Sequence, residues 1–203
     1  MRTELVLLAC LASLVAAQEP QRCVAISQFE ARETSFDFER RFEREAKFGY
    51  DAPNERFYRY EELNENATRN FYHEIFLHQE RAFYRIDLKT RACQRFPLER
   101  PFYPIAVPPD ARYYASRYLG SSAIAKANLL TTVWVGEDEE RHFGYEMVFT
   151  ERECLPVHVT RFFRESRSME RSTFFDATLG ITDPTGFEVP PECERPPPPE
   201  NQL

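Results

Sequence analysis

The side chains able to do chemistry in this sequence are four histidines, five cysteines and a surplus of carboxylates. Their spacing argues against catalysis. His73 and His78 are five apart, so a strand would send them to opposite faces, and neither they nor His142 and His158 form H-E-x-x-H. Each reads as an ordinary imidazole rather than a metal ligand. Gly120-Ser121-Ser122 lacks the closing glycine of a nucleophile elbow. No cysteine sits in C-x-x-C or at finger spacing to a histidine, so zinc is disfavoured. With only 6 glycines, no phosphate-cradling G-x-G-x-x-G or G-x-x-x-x-G-K occurs. No acid pair stands out as a glycosidase dyad. Glu137, Asp138, Glu139 and Glu140 offer oxygen ligands to calcium, but they lack the alternation and glycine of an EF-hand loop and read first as a solvated hairpin tip. Arg161, Arg164, Arg167 and Arg171, interleaved with Phe162, Phe163 and Met169, suit anionic headgroups. Glu165 and Glu170 among them favour a neutralised polar connection instead. The expectation is a protein that is not an enzyme.

The elements that would carry these groups are strands. The chain has 203 residues, 42% hydrophobic and 29% charged, enough for one globular domain. A net charge of -7 disfavours a sequence-independent nucleic-acid binder. Residues 1–17 read as a signal peptide: the apolar run 5–17 is short for a bilayer and ends in small residues before Gln18. No later stretch is long and apolar enough to span a membrane, so the expected product is secreted. Cys10 leaves with the leader. Cys23, Cys93, Cys154 and Cys193 remain for two disulfides with three possible connectivities. Asn66-Ala67-Thr68 is a glycosylation sequon with polar flanks, expected on an exposed loop.

Period-two patterns place Phe143, Tyr145, Met147 and Phe149 on one strand face, and Phe71, Ile75 and Leu77 on another, with Glu74 opposite. Hairpins are expected for 46–60 about a turn at 51–55, for 82–96 about Lys89-Thr90, and for 129–150 about 136–140; strands follow at 155–163 and 172–179. Helical signal is confined to 39–46 and 121–128. Pro101, Pro104, Pro108 and Pro109 mark an irregular central connection, and 195–203 a Pro-rich disordered tail. The reading is a single mostly β antiparallel domain over 18–194.

Several of these segments together resemble the ependymin-related proteins: Gln21-Arg22-Cys23; Phe48-Gly49-Tyr50-Asp51 with Asn54-Glu55-Arg56; Tyr84-Arg85-Ile86-Asp87 before Cys93; Val107-Pro108-Pro109-Asp110-Ala111; Tyr118-Leu119-Gly120-Ser121; Trp134; Cys154-Leu155-Pro156-Val157; and the closing block from Phe174 through Gly180, Asp183 and Phe187 to Cys193. The resemblance covers Cys23 to Cys193. The further cysteine pair of the family's vertebrate lysosomal members is missing between Cys23 and Cys93, so secretion rather than a lysosomal address carries over.

The resemblance implies two stacked antiparallel sheets in a curved half-barrel around a hydrophobic pocket, like bacterial lipoprotein carriers. It implies disulfides Cys23–Cys154 and Cys93–Cys193, calcium binding, a homodimer, and a glycoprotein that binds lipid or other hydrophobic molecules. An extracellular matrix or cell-adhesion component is the alternative. On that footing Phe48, Tyr50, Phe71, Ile75, Leu77, Phe143, Tyr145, Met147 and Phe149 are assigned to the pocket wall. A filled core is the competing reading of the same residues.

Overall fold

A computed structural model describes residues 20–124 and 126–193. The leader 1–17 and the tail 195–203 lie outside the described residues. Among those described are eleven strands: β1 (Gln28–Asp37), β2 (Phe42–Asp51), β3 (Arg56–Glu65), β4 (Thr68–Leu77), β5 (Ala82–Asp87), β6 (Cys93–Pro97), β7 (Arg112–Gly120), β8 (Asn128–Asp138), β9 (Phe143–Thr150), β10 (Pro156–Phe163) and β11 (Ser168–Leu179). All pairings are antiparallel, as the aromatic and β-branched runs between Asn-, Asp- and Pro-bearing turns require.

The strand order is β6-β5-β4-β3-β2-β1-β11-β10-β9-β8-β7. Two meanders, β1–β6 and β7–β11, are therefore joined where β1 pairs with β11, and the two sheets that the resemblance implies are one continuous open sheet. The 39–46 segment, a helix candidate by sequence, is a turn leading into β2, because its alternating Phe42, Arg44 and Ala46 pair in register with β1. In the 121–128 candidate, residues 122–124 and 126–127 lie in turns and bends and Asn128 opens β8. Two strands carry no strong sequence signal: polar residues sit at apolar positions in β1, and β7 is an exposed edge.

The sheet curls. Phe48 on β2 and Phe174 on β11 meet at 6.0 Å across the intervening β1, whereas side chains two strands apart on a flat sheet are roughly 10 Å apart. The 98–111 connection imposes the same curvature. It joins the two outer strands, which would stand ~48 Å apart on a flat sheet, close to the ~50 Å reach of a fully extended connection. Yet it packs as it goes. The Ile105 backbone N–H donates to the Tyr50 hydroxyl at 3.1 Å, Phe102 stacks on Tyr50 at 5.9 Å, and Val107 and Ala111 enter a core with Trp134, Phe143, Tyr145 and Phe149. The N-terminal segment lies alongside, bridging Val24 to Ala106. Cys23–Cys154 ties it to the β9–β10 turn.

The opposite, convex face is covered over β3–β6 by the 180–193 segment, a strap that Cys93–Cys193 fastens to β6. Its Phe187 meets Tyr58 edge-on at 4.8 Å, and its Gly186 carbonyl lies 2.8 Å from His73 Nε2. Glu30 receives the Tyr58 hydroxyl, the Thr182 hydroxyl and the Asp183 N–H. Burial raises the Glu30 carboxyl, but these three donors outweigh it and hold the group below its ordinary range. Both faces of β1–β4 are thus buried in large part, which explains why strict alternation of apolar and wet residues fails there.

Tyr58 needs glycine beneath it. A Cβ on Gly49 would stand 2.2 Å from the Tyr58 ring, and one on Gly186 would stand 2.6 Å from it. The ring is fully buried and cannot swing away. Gly49→Ala is therefore expected to cost about 1–3 kcal/mol through overpacking. The check is urea unfolding of the variant against the parent, and an unchanged midpoint contradicts this account.

Candidate functional site

Cross-strand register brings large rings together along the concave face. Phe29 pairs with Tyr50, Tyr50 with Phe57, Phe57 with Phe76, Phe76 with Phe83 and Phe83 with Phe96, so one row crosses β1 to β6. The centroids of Phe57 and Phe76 are 5.6 Å apart, those of Phe76 and Phe83 4.5 Å, and those of Phe83 and Phe96 5.5 Å. Phe48, from the adjacent row, stacks on Phe57 at 5.3 Å. The 98–111 connection covers the Tyr50 end. Toward the sheet edge the cover stops: Phe57, Phe76 and Phe83 are half-buried, and Phe96 is 38% exposed.

Beside this row runs a band of buried ions, also on the concave face. Glu74, 1% exposed, accepts from Arg59 and from Arg85 Nη2 at 2.6 Å. Arg59 Nε lies 3.0 Å from Glu61, and Arg44 Nη2 lies 3.2 Å from Glu33 and 4.0 Å from Glu170. Burial pushes Glu74 up, but Arg59 and Arg85 overcome it and hold the carboxyl below its ordinary value of 4.5; Glu33 is likewise held low by Arg44 and the Ser35 hydroxyl. Glu61 goes the other way. Its burial, with Glu74 adding repulsion, exceeds the help from Arg59 and Arg44, and its carboxyl is raised.

The nine residues assigned to a pocket by sequence do not share one face. Phe48, Tyr50, Phe143, Tyr145, Met147 and Phe149 are concave. All but the half-buried Met147 are less than a tenth exposed, packed beneath the 20–27 and 98–111 segments. Burial, with Asp110 and Asp138 nearby, pushes the Tyr145 hydroxyl up to about 12. Phe71, Ile75 and Leu77 are convex, because Phe76 and Glu74 take the concave positions opposite Phe57 and Arg59. Ile75 and Leu77 join Ile86, with Val189 and Cys193 of the strap against them. Two clefts flank the strap. One of about 480 Å³ is lined by Asn54, Arg56, Tyr84 and Phe187 among others, and one of about 350 Å³ by Tyr60, His73, Arg91 and Glu188 among others.

Phe57, Phe76, Phe83 and Phe96 escaped the sequence reading. In tight hairpins, residues equidistant from the turn face each other, so turn centres at Asn66-Ala67 and Gln79-Glu80 would have aligned Phe57, Phe76 and Phe83. Asn66 itself is exposed at the β3–β4 turn. The acidic run is not a hairpin tip throughout: Glu137 and Asp138 lie in β8, where Arg164 engages Glu137 at 2.5 Å and Arg141 approaches Asp138 at 3.7 Å. Among the described residues no three His, Cys, Asp or Glu side chains are grouped to hold a metal. Also among the described residues, no helix is long and apolar enough to cross a membrane.

A family model described as Ependymin matches residues 66–193. The chain is 30% identical over 149 residues to an ependymin of Notemigonus crysoleucas, covering 73% of this chain and 68% of that protein. It is 26% identical over 179 residues to mammalian ependymin-related protein 1 of Rattus norvegicus, covering 86% and 77%. An uncharacterized conserved protein from Thermus thermophilus has a similar fold, with a TM-score of 0.57 at 10% identity over 83% of this chain and 89% of that one.

The ion band sets a pH dependence. Glu74 and Glu33, depressed when folded, contribute stability that is present above the unfolded value near 4.5 and is lost as pH falls through their lower folded values. Glu61, raised when folded, contributes fully below 4.5 and loses that contribution as pH rises. At pH 7, Glu74→Gln is expected to cost about 2–3 kcal/mol, because it removes the carboxylate that Arg59 and Arg85 share and leaves the buried Arg59 with Glu61 alone. Glu61→Gln is expected to cost much less. Chemical unfolding of both variants checks the order, and equal losses contradict it.

Proposed function

The chain belongs to the ependymin family, and from that premise we propose that it is a secreted glycoprotein that binds hydrophobic molecules on its concave face rather than an enzyme. The observation that carries the reading is the aromatic row of β2–β6, whose rings are ordered against one another yet left half-open toward the sheet edge. Fully burying an exposed ring is worth about 1.5–3 kcal/mol, and these half-buried rings have part of that still to gain. A fold with no use for them would cover them or replace them with polar residues. An apolar ligand laid along Phe57, Phe76, Phe83 and Phe96 completes the burial, and stacked rings accept flexible chains without directional bonds.

The rings stand on hydrogen-bonded strands rather than on loops, so the surface is ordered before a ligand arrives, which lowers the entropy cost of binding. The two cystines of the fold, Cys23–Cys154 and Cys93–Cys193, suit an oxidising compartment. The exposed turn position of Asn66 suits a glycan. Calcium does not enter this proposal through Glu137–Glu140, whose first two carboxylates are engaged by arginines.

The test is binding of a fluorescent fatty-acid analogue. The parent is expected to bind it, and Phe83→Asp to weaken binding at least tenfold with the fold retained. Ile86→Ala, on the buried convex side of the same strand, is expected to lower stability by about 2–5 kcal/mol with affinity unchanged. A parent that binds no probe, or a Phe83→Asp variant that binds as well as the parent, overturns the proposal.

A further inference from the structure

The cleft of about 480 Å³ beside the strap is built on a buried carboxylate. Asp51, the last residue of β2, is fully buried and accepts from Gln28 Nε2 at 2.9 Å, Asn54 Nδ2 at 2.8 Å and Arg56 Nε at 2.7 Å. Burial raises its carboxyl, but these donors outweigh it and hold the group below its ordinary range. Asp51 thereby fixes two side chains that line the cleft. Asn54 turns its amide nitrogen toward Asp51, which leaves Oδ1 as an acceptor. Arg56 uses Nε on Asp51 and lies over the Phe187 ring, 4.2 Å from its centroid, which leaves both terminal nitrogens as donors. Among the described residues nothing bonds to that oxygen or to those nitrogens.

The β4–β5 turn completes the polar lining. It is docked on the β2–β3 turn by the His78 N–H, which donates to the Glu55 carbonyl at 3.1 Å. Its Gln79 and Glu80 line the cleft and are exposed, and among the described residues neither side chain makes a hydrogen bond or an ion pair. The half-buried Tyr84 supplies an aromatic ring, and the strap contributes only Phe187 and Val189. Charge at this end of the sheet is balanced. Arg56, Arg81, Arg95 and Arg100 stand against Asp51, Glu55, Glu80 and Glu99, and Glu188 of the strap lines the other cleft. A glycan on Asn66 would stand at the far end of the same strands, so it would not mask the cleft.

We propose that this cleft binds a neutral saccharide. Each sugar hydroxyl both donates and accepts, so a ligand with hydroxyls on adjacent carbons matches an acceptor and a donor fixed side by side, as Asn54 Oδ1 and the Arg56 terminal nitrogens are on Asp51. Gln79 adds a second amide and Glu80 a second acceptor. The C–H face of a pyranose packs on an aromatic ring such as Tyr84. With no surplus of either sign, the cleft has no electrostatic preference for a free anion or cation. Its volume lies within the range of about 300–1,000 Å³ of small-molecule sites. Because Asp51 holds the polar groups in place before a ligand arrives, little ordering is left for binding to supply. The cleft lies on the convex face, so the inference does not rest on the concave row binding an apolar ligand.

The test is saturation-transfer NMR of the full chain with the methyl glycosides of glucose, mannose and galactose and with N-acetylglucosamine, each at millimolar concentration. Galacturonate and glucosamine serve as charged counterparts. At least one neutral sugar is expected to receive saturation on its ring protons, and the charged ones to receive less. Gln79→Ala with Glu80→Ala breaks no bond within the protein and is expected to weaken sugar binding about tenfold or more, as for the loss of two hydrogen bonds. Melting temperature and fatty-acid probe affinity are expected to stay at parent values in that variant. Phe83→Asp, on the concave row, is expected to leave sugar binding unaltered, which separates failure of this proposal from failure of the ligand reading. No saturation of any neutral sugar, or binding unaltered by Gln79→Ala with Glu80→Ala, overturns the proposal. So does stronger transfer to galacturonate than to the galactoside, which would assign the cleft to a carboxylate through Arg56.

Discussion

The pairing of the first strand with the last is the constraint on which the rest depends. β1 and β11 meet in antiparallel register, with Ser35 opposite Ser172 and their hydroxyls 2.8 Å apart in the buried centre. Without that seam the chain is two meanders, each with a bare edge and half a core. With it, every strand from β6 to β7 belongs to one surface, and the 98–111 connection must cross that surface to reach from one outer strand to the other. The seam is closed between residues more than a hundred positions apart, so its contacts carry a large loop-closure cost and depend on burial elsewhere to hold them.

That crossing divides the concave face into two regions with different fates. Where the connection and the N-terminal segment lie, rings such as Tyr50, Phe143 and Phe149 are sealed into core. Where they do not, the same row of rings continues in the open. The ion band between the aromatic row and the β8–β10 core keeps the face from collapsing into a uniform apolar interior. Its carboxylates and guanidiniums satisfy one another only in one geometry, and a mispaired arrangement would leave charge buried. The strap does the corresponding work on the convex side, where Tyr58, His73 and Glu30 are held from above rather than by neighbouring strands alone.

Much of this was legible in the residues. Alternation at Phe143–Phe149 and the turns at Pro53-Asn54 and Lys89-Thr90 are local, and local chemistry fixes them. The Cys23–Cys154 and Cys93–Cys193 pairs of the structure are those the family resemblance implied, which spacing could not choose. What was not legible is relational. Whether Phe76 or Ile75 faces the concave side is decided by the register of β3 against β4, and a one-residue slip would exchange them. Glu74 looked like the wet side of its strand and is instead almost fully enclosed between Arg59 and Arg85, because arginines from two other strands arrive beside it. β1 was hidden for a related reason: Glu30, Glu33 and Asp37 are polar by type and buried by context.

The measurement that tests the central claim most directly is photolabelling of the intact protein with a fatty acid bearing a photoreactive group on its chain, followed by peptide mapping of the cross-links. Label is expected on Phe57, Phe76, Phe83 and Phe96, the open concave side of β3–β6. Label confined to Phe71, Leu77 or the strap residues Phe187 and Val189 on the convex side, or no protein-bound label, would contradict the claim.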